Sequence, residues 1–345
     1  MADRVGFEPT VTSLPHTLSR RAHSTTLSPI LIFCCHLLRG GRKLLAESFG
    51  CNAFFIKNEL AFDAGDWRAL MCSMSGQKSC LVLMDNGSLR AESTLQLRRV
   101  AARVSDLLRE PVHPVSLLHS GKVDAELLGG EKARTLVPFL RAQRQMGVNR
   151  FRVLPQFFGP SSALADYLPK RVAELQAEGW AELQVEVLPC LVDEADTSVA
   201  EIMADLVRRK ALELGWNEFS VAMCDHGTPA LAVNQVRELV AEQLREILGV
   251  EVSTLASCSM ERREGSEYDF NDPLLENLLG KPGFNHRVMV SMLFAGPGRH
   301  AGADGDVAKI CSDAVLQNSG LEVQMTGLLG EAFEPFCQLL AKRAQ

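Results

Sequence analysis

Cys80-Leu81-Val82-Leu83-Met84-Asp85-Asn86-Gly87-Ser88 is a short apolar run that ends in a polar turn, and the pattern returns at Glu218 to Cys224, which runs into Asp225-His226-Gly227-Thr228-Pro229. An apolar run of this length, bounded by turn residues, reads as a buried strand. Each run leads into an amphipathic helix, over about Thr94 to Arg109 and about Ala230 to Leu248. A second pair of stretches also matches: Phe157-Phe158-Gly159-Pro160 and Phe294-Ala295-Gly296-Pro297. Both offsets are about 140 residues. That is too long for a solenoid repeat, so the chain carries a duplicated domain.

Working outward, strands are expected near Val112 to Leu118, Arg150 to Phe157 and Leu183 to Leu188. Helices are expected near Glu131 to Met146, Ser162 to Glu178 and Ser198 to Leu214. The second half repeats the order: strands near Val250 to Ala256, Arg287 to Phe294 and Leu321 to Met325, a short helix before Leu279, a helix near Asp304 to Asn318, and a last helix to about Lys342. Apolar strands alternating with helices mean βα units and parallel sheets. The expected fold is α/β: two tandem homologous lobes, each a parallel sheet flanked by helices, facing one another about a pseudo-twofold axis with a cleft between them. The lobes are placed at residues 74–215 and 216–345.

Residues 1–73 read differently. Thr17 to Thr26 is rich in Arg, Ser and Thr, and His16, His23 and His36 follow no period. Three readings stand: an organellar transit peptide, a small accessory domain over Ala53 to Met71, or an over-extended gene start, with Met74 as the natural one. The histidines in this stretch read as incidental.

Composition narrows the function. The 345 residues are 46% hydrophobic, 23% charged and 6% aromatic, an ordinary globular profile for about two domains. A net charge of −6 leaves no basic footprint for nucleic acid. Ten cysteines include no C-x-x-C pair, which argues against a zinc ribbon and fits a reducing compartment. Nothing approaches the roughly 18 apolar residues of a membrane span. The expected location is the cytoplasm, with no membrane and no nucleic-acid partner. No G-x-G-x-x-G or P-loop is present, and Gly129-Gly130 alone does not make a nucleotide site.

Ligands of open parallel sheets bind beyond the carboxyl ends of the strands. His226, Glu261 and His300 follow the first three strands of the second lobe. Two imidazoles and a carboxylate with open positions suit Fe²⁺, Co²⁺ or Ni²⁺. Gly227 allows a sharp turn after His226, and Gly296, Gly298 and Gly302 leave room near His300 for a flat ligand. Cys224 and Cys258 read as core. A strand-end histidine is ordinarily a hydrogen-bonded loop residue, and His113 and His286, which precede strands, read as structural. In the first lobe Asn86 stands for His226, Ala163 for His300 and His119 for Glu261, so that lobe lacks the metal ligands and supplies the opposite wall.

At Asp225-His226-Gly227-Thr228-Pro229, Ser259-Met260-Glu261-Arg262-Arg263-Glu264 and Phe294-Ala295-Gly296-Pro297-Gly298-Arg299-His300-Ala301-Gly302, the chain resembles the class II chelatases, the sirohydrochlorin cobaltochelatase and ferrochelatase family, in its long two-domain form. The resemblance covers Met74 to the C-terminus. It implies a divalent metal, Co²⁺ or Fe²⁺, held by His226 and His300 with Glu261 or Glu264 assisting, and a sirohydrochlorin-type tetrapyrrole docked above. The pathway would be cobalamin or sirohaem biosynthesis, with no cofactor beyond the substrate metal. Arg262, Arg263 and Arg299, with Gly227 and Gly298, would meet the carboxylate-rich substrate. A non-catalytic tetrapyrrole or metal carrier using the same cleft is the rival. A doubled periplasmic-binding-type module is disfavoured by the repeated motif.

Overall fold

The computed structural model describes residues 79–345; the expectations for residues 1–73 fall outside them. Among the described residues, eight strands form two four-stranded sheets, every adjacent pair parallel. The first contains β1 (Ser79–Asp85), β2 (Val112–Ser116), β3 (Arg150–Pro155) and β4 (Gln184–Val187), in the order β2-β1-β3-β4. The second contains β5 (Ser220–Asp225), β6 (Leu255–Ser259), β7 (Arg287–Met292) and β8 (Glu322–Met325), in the order β6-β5-β7-β8. The shared order confirms the duplication. All six residues of β5 are buried, as a parallel strand covered by helices on both faces requires.

The helices are α1 (Ala91–Leu108), α2 (Leu136–Gln145), α3 (Leu168–Ala177) and α4 (Ser198–Leu214) in the first half of the chain, and α5 (Leu231–Leu248), α6 (Leu275–Leu278), α7 (Asp306–Gln317) and α8 (Phe333–Arg343) in the second. One strand differs from its expected place. Val250 to Val252 are rich in valine and read as the start of β6, yet Gly249–Glu251 form a 3₁₀ turn and Val250 is fully exposed. Gly249 has φ +48°, so the chain turns sharply out of α5 before β6 begins.

The last helix of each half packs on the other half. Helix α4 lies against α5 and β7, and α8 lies against α1. Arg103 of α1 forks onto Glu334 of α8 at 2.9 and 2.6 Å. Arg343 of α8, only 7% exposed, reaches the carbonyls of Cys190 and Leu191 and the Asp196 carboxylate. One apolar core accordingly joins Leu81 and Leu83 of β1 to Val221 and Met223 of β5, through Met203 and Val207 of α4 and Phe336 and Leu340 of α8. The remaining face of each sheet has its own core. The packing ties the two repeats together.

Two close approaches follow the pseudo-twofold relation. A Cβ on Gly159 would meet Val236 of α5 at 2.7 Å, and one on Gly296 would meet Gln96 of α1 at 2.0 Å. Positions 96 and 236 are repeat equivalents. Gly296 thus lies against the Gln96 side chain of the first lobe.

Candidate metal centre

In each sheet the chain leaves the first strand toward one side and returns on the other, which makes a topological switch point between β5 and β7, where open α/β sheets bind ligands. His226 follows β5 and His300 lies in the loop after β7. Their ring centroids are 4.5 Å apart with planes at 73°. The Nε2 of His226 is 3.5 Å from a Glu261 carboxylate oxygen. His226 and Glu261 are about half exposed, so the group opens to solvent.

The turn that carries His226 is built by backbone hydrogen bonds to the β6 loop. Met260 N–H donates to the Asp225 carbonyl at 2.8 Å, and Glu261 N–H donates to the His226 carbonyl at 3.2 Å. Gly227 has φ +89°, and a Cβ there would lie 1.9 Å from the Glu261 carbonyl oxygen. Only glycine permits this approach, which is what brings the histidine and glutamate loops together.

Each imidazole is oriented through Nδ1. His226 Nδ1 contacts the Gly227 carbonyl at 2.9 Å, and His300 Nδ1 contacts the Asp306 carboxylate at 2.7 Å. Both acceptors place the ring proton on Nδ1 and leave the Nε2 lone pairs for an ion. Burial, with a smaller contribution from the neighbouring His226 ring, holds the His300 pKa below the usual histidine value, against the opposing pull of Asp306, a direction that favours the neutral form a metal ligand needs. Asp306 escaped the sequence reading. Its signal was there, an acidic residue in the first turn of the helix that follows His300.

Among the described residues no three His, Cys, Asp or Glu side chains are arranged to enclose an ion. The pair of imidazoles is an open set with Glu261 at its edge. Glu264 is exposed, on the same loop. Cys224 and Cys258 are fully buried, as expected.

The arginines diverge. Arg262 is committed to its own loop, bonded to Asp269 at 2.9 Å, Asp272 at 3.2 Å and the Gly265 carbonyl at 3.0 Å. Its donors hold that loop together. Arg263 lies over the Tyr268 ring at 5.9 Å. Arg299 projects from the β7 loop, 82% exposed and 3.7 Å from Asp306. Beside it a Cβ on Gly298 would meet nothing within 4 Å, so that surface is open.

A cavity of about 190 Å³ adjoins the histidine turn, lined by Asp225, His226, Val236, Arg237 and Phe294, with Phe158 reaching in from the first lobe. It lies below the roughly 300 Å³ at which small-molecule pockets begin. A larger groove of about 410 Å³ between α4 and α8 is lined by Asp205, Arg208, Arg209, Glu331 and Phe333; it holds no histidine or thiol.

The equivalent turn of the first lobe has the same skeleton. Leu117 N–H donates to Asp85 O at 2.8 Å and Leu118 N–H to Asn86 O at 3.1 Å, and Gly87 has φ +87°. This pairing aligns Asn86 with His226 as expected. It aligns Leu118, not His119, with Glu261, because the strands pair Asp85 with Ser116 and Asp225 with Ser259. The expected place of His119 is corrected by one residue.

The two turns also differ underneath. Arg237 of α5 lies 3.8 Å from Asp225, whereas its repeat equivalent on α1 is the buried Leu97. Asp85 Oδ1 is sealed from solvent with no partner. Burial pushes the Asp85 carboxyl up to about 6, partly offset by hydrogen bonds from Ser116 and the Gly87 N–H. A carboxyl raised on folding binds its proton more tightly in the native state, so its contribution weakens stability as pH climbs from about 4 to about 6 and stays unfavourable above. Asp85→Asn is expected to stabilise the protein at pH 8 by about 1–3 kcal/mol. The gain should fade toward pH 4 in urea unfolding curves; a gain that is the same at both pH values would contradict the assignment.

With this geometry in place, the fold can be identified: it is a chelatase-type fold, like that of SirB and of the chelatase-like protein DR2241. A structure described as SirB from Bacillus subtilis with Fe³⁺ superimposes with TM-score 0.54 at 12% identity, covering 77% of this chain and 94% of that one. DR2241 from Deinococcus radiodurans, described as a multi-domain protein similar to chelatases with two additional domains, gives TM-score 0.51 at 16% identity over 78% of this chain and 55% of that one. CbiX, described as the terminal enzyme for siroheme biosynthesis in denitrifying bacteria, gives TM-score 0.49 at 16% identity over 78% and 99%. No protein-family model and no curated protein sequence matches the chain. Among the described residues no helix is long and apolar enough to cross a membrane.

Proposed function

We propose that the chain is a metal chelatase that inserts Co²⁺ or Fe²⁺ into a sirohydrochlorin-type tetrapyrrole, in cobalamin or sirohaem biosynthesis. The observation that carries this reading is the pair of imidazoles 4.5 Å apart at the switch point of the second sheet. In a chelatase fold, that is the only pair of histidine rings in mutual contact among the described residues.

Insertion exchanges two pyrrole N–H protons for one divalent ion. The ion must be held firmly enough to shed water and loosely enough to leave. His226 and His300 offer two imidazole nitrogens, and among the described residues no third side chain closes the set. The remaining positions are then open to the pyrrole nitrogens. Glu261, 3.5 Å from His226 Nε2, is placed to take protons as they leave or to assist delivery of the ion. Arg299 and the open surface at Gly298 would meet the carboxylates of the macrocycle. The iron reported with SirB supports a metal at this fold; the donor set itself serves cobalt, iron and nickel alike.

The test is spectroscopic. Protein, sirohydrochlorin and Co²⁺ are mixed, and the change in pigment absorption is followed against the protein-free rate. Acceleration at substoichiometric protein supports insertion. Pigment or metal binding with no acceleration would mark a carrier and reject the enzyme.

A further inference from the structure

The most heavily bonded charged side chain near the site is one the insertion chemistry does not use. Arg237 sits on α5, only 2% exposed. Its Nη1 donates to Ser259 Oγ and, at 3.0 Å, to the Asn271 carbonyl. Its Nη2 donates to the Phe270 carbonyl at 3.1 Å, and Nε to Glu238 at 2.8 Å. Nη1 is 3.8 Å from Asp225 Oδ1. That same carboxylate oxygen accepts the Gly227 N–H at 3.0 Å and the Ser259 hydroxyl at 2.7 Å. Asn271 in turn accepts the Thr228 N–H at 2.9 Å and donates to the Thr228 carbonyl at 2.9 Å.

Three segments meet on this guanidinium: the turn bearing His226, the end of β6 leading to Glu261, and the Phe270-Asn271 segment beyond it. A planar fork with five donors can bridge three segments at fixed angles, which a leucine cannot. The first lobe makes the comparison within one molecule. It keeps the aspartate, the glycine and the serine at Asp85, Gly87 and Ser116, but has Asn86 for the histidine and Leu97 for the arginine. The turn itself therefore folds without the arginine, and the arginine accompanies the histidine.

We propose that Arg237 is the positioning residue of the metal site: it locks the Asp225–Gly227 turn to the β6 loop so that His226 and Glu261 face one ion. The inference rests on the metal reading above and adds a residue to it that touches neither ion nor substrate. Outer-shell groups of this kind change metal affinity on the order of 10–100-fold when removed.

The experiment is a titration of the full chain with Co²⁺ alone, read by its d–d absorption, alongside the KM for metal and for tetrapyrrole. Arg237→Leu, which imports the first-lobe residue, should weaken Co²⁺ binding on the order of 10-fold or more. It should raise the KM for metal and leave the KM for tetrapyrrole near wild type. Arg237→Lys keeps the charge without the fork and should fall between. Because Arg237→Leu strands a buried carboxylate, Asp225→Asn/Arg237→Leu is made as well; removing both charges should preserve folding yet keep the loss of affinity. Folded Arg237→Leu, or the double variant, binding Co²⁺ within about twofold of wild type overturns the proposal, since the arginine would then be a counter-charge only. His226→Ala separates the two levels. If it binds Co²⁺ normally, the metal reading fails and the proposal falls with it. If it loses Co²⁺ while Arg237→Leu does not, the positioning role alone is rejected.

Discussion

His226→Ala is expected to bring tetrapyrrole metallation down to the protein-free rate, with His300→Ala doing the same. Each ring supplies half of the nitrogen donors in a set that no third side chain closes. A site of two ligands cannot lose one and still compete with water for a divalent ion, so the effect should reach orders of magnitude. Asp306→Ala should be graded below this. It leaves both rings in place but frees His300 to rotate and change tautomer, since Asp306 is the acceptor at 2.7 Å that fixes Nδ1. A loss on the order of 10-fold is expected there. The measurements are initial rates with Co²⁺ and sirohydrochlorin, paired with thermal unfolding. His226 is half exposed and none of the apolar cores includes it, so its melting temperature should stay at the wild-type value. Wild-type activity in His226→Ala, with the fold intact, would remove the basis for metal insertion at this place.

Much of this was readable from residues, and the failures have physical causes. Strand ends were legible because a buried parallel strand is apolar throughout and must stop where polar turn residues begin. That rule singled out His226 as a candidate directly, and His300 only loosely, since β7 ends at Met292, well before it. The pairing of Leu118 with Glu261 was missed by one residue because loops after strands carry no periodicity to count along; only the hydrogen bonds from Leu118 and Glu261 to the preceding turns set the register. Val250 and Val252 mimicked a strand because β propensity is a property of side chains, while the positive φ of Gly249 decided the backbone there. Arg237 lay hidden for a different reason. A helix position facing the core is expected to be apolar, and its equivalent Leu97 is; nothing local marks an arginine there as buried and bridging. The exchange of α4 and α8 between lobes is a matter of tertiary packing, invisible to helix and strand patterns.

The glycines offer a way to separate what the turn does for folding from what it does for the ion. Gly227 and Gly87 occupy the same turn in the two lobes, with φ +89° and +87°. A methyl group at either would lie 1.9 or 1.8 Å from a backbone carbonyl oxygen, of Glu261 or Leu118. Backbone cannot swing aside as a flexible side chain can, so the turn must open and lose the hydrogen bond that joins it to the neighbouring loop. Left-handed strain on an alanine adds to the clash, and each substitution should cost about 3 kcal/mol or more. Gly227→Ala and Gly87→Ala are therefore expected to lower the urea midpoint by similar amounts. Only Gly227→Ala moves His226 relative to Glu261, so only it should lose Co²⁺ affinity in conditions where both variants remain folded. Equal loss of affinity in the two would mean that the metal responds to global loosening of the joined lobes. A Gly227→Ala protein as stable as wild type would mean that the close approach to Glu261 does not hold in solution, and with it would go the reason that histidine and glutamate share one edge of the sheet.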